Sequence, residues 1–328
     1  MSPPLKRSWR AFPEGRALPA WLLSGLALAT LFEALAAFGW PFELFAHFRV
    51  QYLAAAVLLA VLLGAQRRAR LALLAALLAG WHALPGIAVL RAAPSATACD
   101  GPSLTVATAN VRFSNANREP FLAWLRSSPA DLVVVQEVTA DWAGVLAAMP
   151  GFPHRYALTR DDPYGIAVYS RWPLHAVETV DLAADGLPSL AGELDVGGQR
   201  VRFFGLHTHW PVTPALARAR DAALHQAAVR ARDGAGPVML LGDLNLTPAA
   251  PAFLRLLEEG ELRDVMDGRR WRPTWRAGFW PLALRIDHVL VSPGLCVEHA
   301  EVGPAVGSDH RPVIARLRLP SGPGVGGR

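Results

Sequence analysis

Asn110 closes the run TVATANV, and Glu137 closes DLVVVQEV. His209 follows FFGLHT, Asp243 and Asn245 follow VMLL, and Asp287, Asp309 and His310 stand in RIDHVLV and GSDHRPV. Carboxylates and amides are hard oxygen donors suited to a divalent cation. An imidazole oriented by a carboxylate carries protons. A carboxylate placed directly after four or five buried residues is costly unless it binds something, which singles out Glu137. Asp243 and Asn245 lie two apart, so in extended chain both side chains point to one face. Such a set meets the needs of phosphate-ester hydrolysis. That reaction wants a cation beside the phosphate, a base for the attacking water, donors for the transition state and a proton for the departing oxygen. A strand-end Asn or a lone Asp-x-Asn also forms turns, but here each is delivered by a run of apolar residues.

The elements that must position these groups read as strands over 104–110, 132–136, 165–170, 192–196, 201–208, 238–242, 286–291, 296–302 and 312–319. Helical patterns occupy 119–127, 140–148, 215–232 and 251–259. Strands bridged by helices, mixed with hairpin-like pairs, predict two packed sheets with helices outside.

The order Asn, Glu, His, Asp-x-Asn, Asp, Asp-His resembles that of the endonuclease/exonuclease/phosphatase superfamily, over residues 103–320. The resemblance implies an α/β fold, a four-layer α/β/β/α sandwich with the site at one end of the sheets. It implies Mg²⁺ or Mn²⁺ held by Glu137, with Asn110 and Asp309 beside the metal. It implies Asp243 orienting or deprotonating the water, Asn245 donating to the phosphate, and Asp287 orienting His310. The histidine is less constrained, since His207 and His209 both fit one strand face. The match of Thr208–His209–Trp210–Pro211 to relatives selects His209 and leaves His207 structural. Tyr164 is a secondary candidate for the same duty. Asn115 and Trp275 are weaker candidates for substrate contact, and the Arg- and Trp-rich loop 260–285 is the segment most suited to it.

Net charge is +5 over 328 residues, with 52% hydrophobic and 18% charged residues. The charge is uneven: residues 1–100 hold 9 Lys/Arg against 4 Asp/Glu, and residues 101–328 hold 23 against 23. The catalytic segment as a whole therefore has no basic excess of the kind a duplex-binding face needs. Nucleic acid stays open as a partner without support from charge.

Apolar runs over 18–40, 50–65 and 71–90 predict three transmembrane helices, a membrane anchor spanning 18–91. A cleaved signal peptide fits the first run poorly, because two more follow it. Basic residues before the first run and in QRRAR place both in the cytoplasm. In a bacterial cell this makes a multi-pass inner-membrane protein with its catalytic domain on the periplasmic side. Glu33 falls within the first run and is expected to sit near the interface and pair with Arg49 or His47. Residues 1–17 read as a basic cytoplasmic segment, 92–102 as a linker and 321–328 as a Gly/Pro-rich tail. Cys99 and Cys296 are either bridged or free; no Cys/His spacing suggests zinc.

The functional expectation is a membrane-anchored, metal-dependent phosphoesterase, acting on nucleic acid, a lipid headgroup or a small phosphate ester. The alternatives are a catalytically silent binding module on the same fold and a membrane transporter or sensor built around the apolar runs.

Overall fold

A computed structural model describes residues 14–91, 99–269 and 271–320. Residues 1–13, linker residues 92–98 and the tail 321–328 lie outside the described residues.

The N-terminal part is a helical bundle: α1 (Glu14–Ala34), α2 (Glu43–Ala46), α3 (Arg49–Ala65) and α4 (Ala69–Arg91). The three-span expectation is corrected here. Among the described residues, only the α1 stretch Ala17–Ala34 is long and apolar enough to cross a membrane. The first run does not continue as helix to residue 40; a 3-10 turn, Ala36–Phe38, interrupts it. Arg49 and the Gln66–Arg67–Arg68 turn confine α3 to 17 residues, and the apolar part of α4 is equally short, Ala69–Pro85. Leu23, Leu26, Ala56, Leu59, Leu63 and Ala75 form the bundle core. Outward faces carry exposed Trp21, Leu22, Leu58, Val61, Leu73 and Leu77. Glu33 accepts from Arg49 Nε at 2.6 Å and faces His82 Nδ1 at 3.1 Å, so its partners are Arg49 and His82, not His47.

The remainder alternates β1 (Ser103–Asn110), α5 (Glu119–Ser127), β2 (Leu132–Gln136), α6 (Ala140–Ala147), β3 (His154–Leu158), β4 (Ile166–Ser170), β5 (Leu174–Asp181), β6 (Pro188–Val196) and β7 (Gln199–His207). There follow α7 (Pro214–Asp233), β8 (Val238–Asp243), α8 (Pro251–Glu259), β9 (Arg263–Asp264), β10 (Asp287–Val291), β11 (Cys296–Val302) and β12 (Val313–Arg318). One mixed sheet has the order β11-β12-β1-β2-β4-β3, the other β5-β6-β7-β8-β10-β9. The sequence pattern misses β3 and β5 because both lie at sheet edges. Their residues are mostly half-buried or exposed, with no apolar run.

Side-chain alternation assigns the layers. Leu104 and Val106 of β1, Phe203 of β7, Met239 and Leu241 of β8, and Val289 and Val291 of β10 meet between the sheets. The opposite faces pack on helices: Ala107, Val133 and Val135 against Phe121 and Trp142, and Phe204 and Leu240 against Ala227 and Phe253. Gly205 lies on the inter-sheet face, where an added Cβ would stand 2.9 Å from Val134 Cγ1. The sheets thus touch closely at that level. A disulfide joins Cys99 to Cys296 on β11, with Cα atoms 6.0 Å apart, and settles the open pairing in favour of a bridge.

The bundle is docked on the catalytic domain by buried polar contacts. Arg220 of α7, fully buried, donates to Glu43 Oε2 at 2.7 Å. Gln51 Nε2 donates to Ala283 O at 2.7 Å. His47 Nδ1 lies 3.1 Å from Thr247 Oγ1 and accepts from Thr247 N at 3.4 Å.

Candidate active site

The inter-sheet faces carry polar residues where the strands end. On β7, β8 and β10 the apolar positions are followed, on the same face, by His207, Asp243 and Asp287. Register aligns them: His207 pairs with Asp243, and Asp243 with Asp287, across three neighbouring strands. On the other sheet Asn110 ends β1 and pairs in register with Gln136, whose neighbour is Glu137. Thr108 and Gln136 hydrogen-bond each other directly beneath, a polar plug between apolar core and site.

Asn110 joins the two halves. Its Nδ2 donates to Glu137 Oε1 at 2.8 Å and to Asp243 Oδ2 at 3.2 Å, while its Oδ1 accepts from Arg112 N. Its oxygen accepts from one backbone N–H and keeps a second lone pair. Glu137 adopts a positive φ of 64°, a strained conformation of the sort that collects at functional sites. Its Oε2 accepts from Phe113 N at 2.9 Å. Asn245 also has a positive φ, 48°, because β8 stops at Asp243, whose Oδ1 accepts from Asn245 N at 2.9 Å. The extended spacing expected for Asp243 and Asn245 is therefore replaced by a turn. Both side chains still line one cavity, together with Glu137, His207, Asp309 and His310. An added Cβ on Gly242, beside Asp243, would come within 1.8 Å of Leu206 O, so only glycine lets β7 and β8 approach there.

His310 Nδ1 faces Asp287 Oδ2 at 2.9 Å and Asp243 Oδ2 at 3.7 Å. Burial alone would lower the imidazolium, but Asp287 and Asp243 outweigh it and push His310 up to about 10. Burial, then the like charge of Asp287, raises Asp243 above the ordinary carboxylate range. Thr274 Oγ1 accepts from the N–H groups of Ile286 and Asp287 and fixes the start of β10. Behind it, Arg285 donates to buried Asp264 at 2.6 Å, a cluster completed by His288 that the sequence reading missed. Asp309 Oδ2 accepts from Trp275 Nε1 at 3.3 Å, which places Trp275 at the cavity rim.

The histidine expectation is corrected. β7 ends at His207, whose Nε2 lies 3.8 Å from Asp243 Oδ2 and which lines the cavity. His209 turns away; its Nε2 binds Asp185 at 2.8 Å and its Nδ1 lies 3.3 Å from Tyr164 OH. Tyr164 lines the cavity, and burial raises its phenol so that it stays protonated. Asn115 is also corrected: its amide is spent on Val111 O and Asn117 N within its own loop, and it does not line the cavity. His47, from the bundle, does line it. No local pattern marks His47, because it reaches the site only through tertiary docking.

Three carboxylates, Glu137, Asp243 and Asp309, line this cavity with the imidazoles of His207, His310 and His47, and Asp287 lies behind His310. Among the described residues, neither Glu137 nor Asp309 has an ion pair with Arg or Lys. Half-buried carboxylate oxygens with only neutral donors fit a hard divalent cation. Asp243, Asp287 and His310 also offer atoms within 4.8 Å of one another. There the Asp287–His310 hydrogen bond already accounts for the closeness.

No curated protein matches the chain. Among solved structures, an endonuclease/exonuclease/phosphatase from Beutenbergia cavernae is 25% identical with a TM-score of 0.54, covering 66% of this chain and 72% of that one. A 3′ phosphatase from Neisseria bound to a product DNA hairpin is 24% identical, TM-score 0.56, covering 65% and 98%. A mannosyl-6-phosphatase from Bacteroides thetaiotaomicron is 22% identical, TM-score 0.54, covering 66% and 100%. The sequence profile of the Endonuclease/Exonuclease/phosphatase family matches residues 107–310, the span that supplies every one of these strand-end groups, and the chain belongs to that family.

Proposed function

We propose that the chain is a divalent-metal-dependent phosphoesterase that cleaves phosphodiesters. The observation that carries this reading is the row His207–Asp243–Asp287 facing Asn110 and Glu137 across the inter-sheet gap, with Glu137, His207 and Asp243 lining one cavity. Glu137 and Asp309 would hold Mg²⁺ or Mn²⁺. The bound cation supplies charge neutralisation at the phosphate. Asp243 takes a proton from the attacking water. Asn245, one amide N–H spent on Thr208 O, presents the other to a phosphate oxygen. Asp287 fixes the His310 tautomer and keeps the ring protonated, so His310 donates to the developing negative charge. His207 gives its proton to the leaving oxygen. The water oxygen forms the new P–O bond, the ester P–O bond breaks, and the products are a phosphate monoester and an alcohol.

The named neighbours act on a DNA end and a sugar phosphate, both phosphate esters, which supports the reaction type. The apolar stretch Ala17–Ala34 of α1 supports a membrane anchor near the N-terminus. The Cys99–Cys296 bridge supports a catalytic domain on the extracytoplasmic side.

Full-length protein in detergent, assayed on bis-p-nitrophenyl phosphate with Mn²⁺ and with EDTA, tests the reading. Turnover should need metal. Asp243→Asn and His310→Gln should each lose roughly 10²–10⁴-fold, and His207→Gln should lose far more than His209→Gln. Metal-independent or absent turnover refutes the function, and a dominant effect of His209→Gln restores that residue to the site.

A further inference from the structure

The cavity over the site holds about 920 Å³, and much of its wall does no phosphate chemistry. Its floor is polar: Glu137, Asp243, His207 and His310. One wall is apolar and comes from the helical bundle. Leu44 of α2 and Phe48 just before α3 line the cavity with Leu282, and Trp210 and Val212 line it as well. Trp210 is 62% exposed, Val212 49% and Leu282 38%. Exposed apolar side chains grouped at one cavity mouth mark a binding surface. Leu44 and Phe48 follow the C-terminal end of α1, where a bilayer crossed by that helix has its interface. His47 adds a polar group part-way up this wall. Thr247 N–H points at Nδ1 and holds the ring in place in the wall. A soluble phosphate ester has no use for the apolar wall, and residues 101–328 carry no net basic excess to draw a nucleic-acid strand.

We infer that the substrate is a membrane lipid carrying a phosphate ester. Its headgroup rests on the polar floor, and its chain runs along Leu44, Phe48 and Leu282 into the bilayer. The inference rests on the phosphoesterase reading above. The bond change is the same: water oxygen joins phosphorus, the P–O bond to one alcohol breaks, and that alcohol leaves protonated.

The test uses full-length protein in nanodiscs or micelles. It compares long-chain and six-carbon-chain phosphatidylglycerol, an unstructured oligonucleotide and bis-p-nitrophenyl phosphate. Each buried methylene is worth roughly fourfold in binding, so the long-chain lipid should exceed the short-chain one in kcat/KM by about tenfold or more. Leu282→Glu and Val212→Glu should each collapse that chain-length ratio toward one. A thermal melt of each variant shows that it is folded. A ratio near one in the parent, or a ratio the two variants leave intact, overturns the inference, as does preferential cleavage of the oligonucleotide. Loss of bis-p-nitrophenyl phosphate turnover in the parent instead sinks the underlying phosphoesterase reading, and the lipid inference with it.

Discussion

The Arg220–Glu43 contact makes a quantitative prediction about how the bundle is held. Arg220 is fully buried; its Nη2 donates to Glu43 Oε2 and to Asp221 Oδ1, both at 2.7 Å, and its Nη1 has no partner. Replacing Glu43 by Met leaves a buried guanidinium with Asp221 alone. Breaking a buried pair from one side costs about 3–5 kcal/mol. Asp221 remains to share the charge, so the lower end, about 3 kcal/mol, applies. At about 2–4 °C per kcal/mol for a domain of this size, the melting temperature should fall by roughly 6–12 °C. The double variant Glu43→Met/Arg220→Met removes both charges and fills the space with apolar atoms, so it should recover most of the loss. Tryptophan fluorescence during a thermal ramp, on full-length protein in detergent, reads all variants against the parent. A single variant within about 2 °C of the parent would show that the pair does not hold the bundle. A double variant no better than the worse single would show that the two side chains are not coupled.

Two further predictions concern stability. His310 is raised to about 10 when folded, above its ordinary value near 6.5, so its stabilising contribution is whole below about 6.5 and drains away as pH climbs toward 10. Urea titrations with EDTA between pH 6 and 10 should show stability falling, and Asp287→Asn should flatten that fall. Reducing the Cys99–Cys296 bridge frees residues 197 apart. It should lower the melting temperature by roughly 5–15 °C, read with and without a phosphine reductant; an unchanged melt refutes a structural role.

The strand-end groups were legible because β-structure repeats every two residues. Once 239 and 241 are apolar and buried, 243 must share their face, and the same holds for 104, 106 and 110. That periodicity ends where the strand does. His209 was misplaced, and the backbone path to Asn245 was misread, for one reason: β7 stops at His207 and β8 at Asp243, and no residue type announces either stop. Edge strands β3 and β5 left no apolar run to read. The bundle contacts were invisible for another reason. Arg220 is one of several arginines on α7, and its partner lies 177 positions away. Hydropathy alone also could not show that the first apolar run breaks after Ala34, where a 3-10 turn and then the short α2 carry the chain to the cavity wall.

The meeting of Gly205 and Val134 has a mechanical consequence. Asn110 and Glu137 ride on one sheet, and His207, Asp243 and Asp287 ride on the other, so the sheets are two jaws. At Gly205 an added Cβ would stand 2.9 Å from Val134 Cγ1 of the opposite sheet, closer than an ordinary contact. A methyl group there would act as a shim, prising the jaws apart and stretching the Asn110–Asp243 link without altering one reactive atom. The spacing of the chemistry is thus gauged from inside the core, by a residue that never meets the substrate.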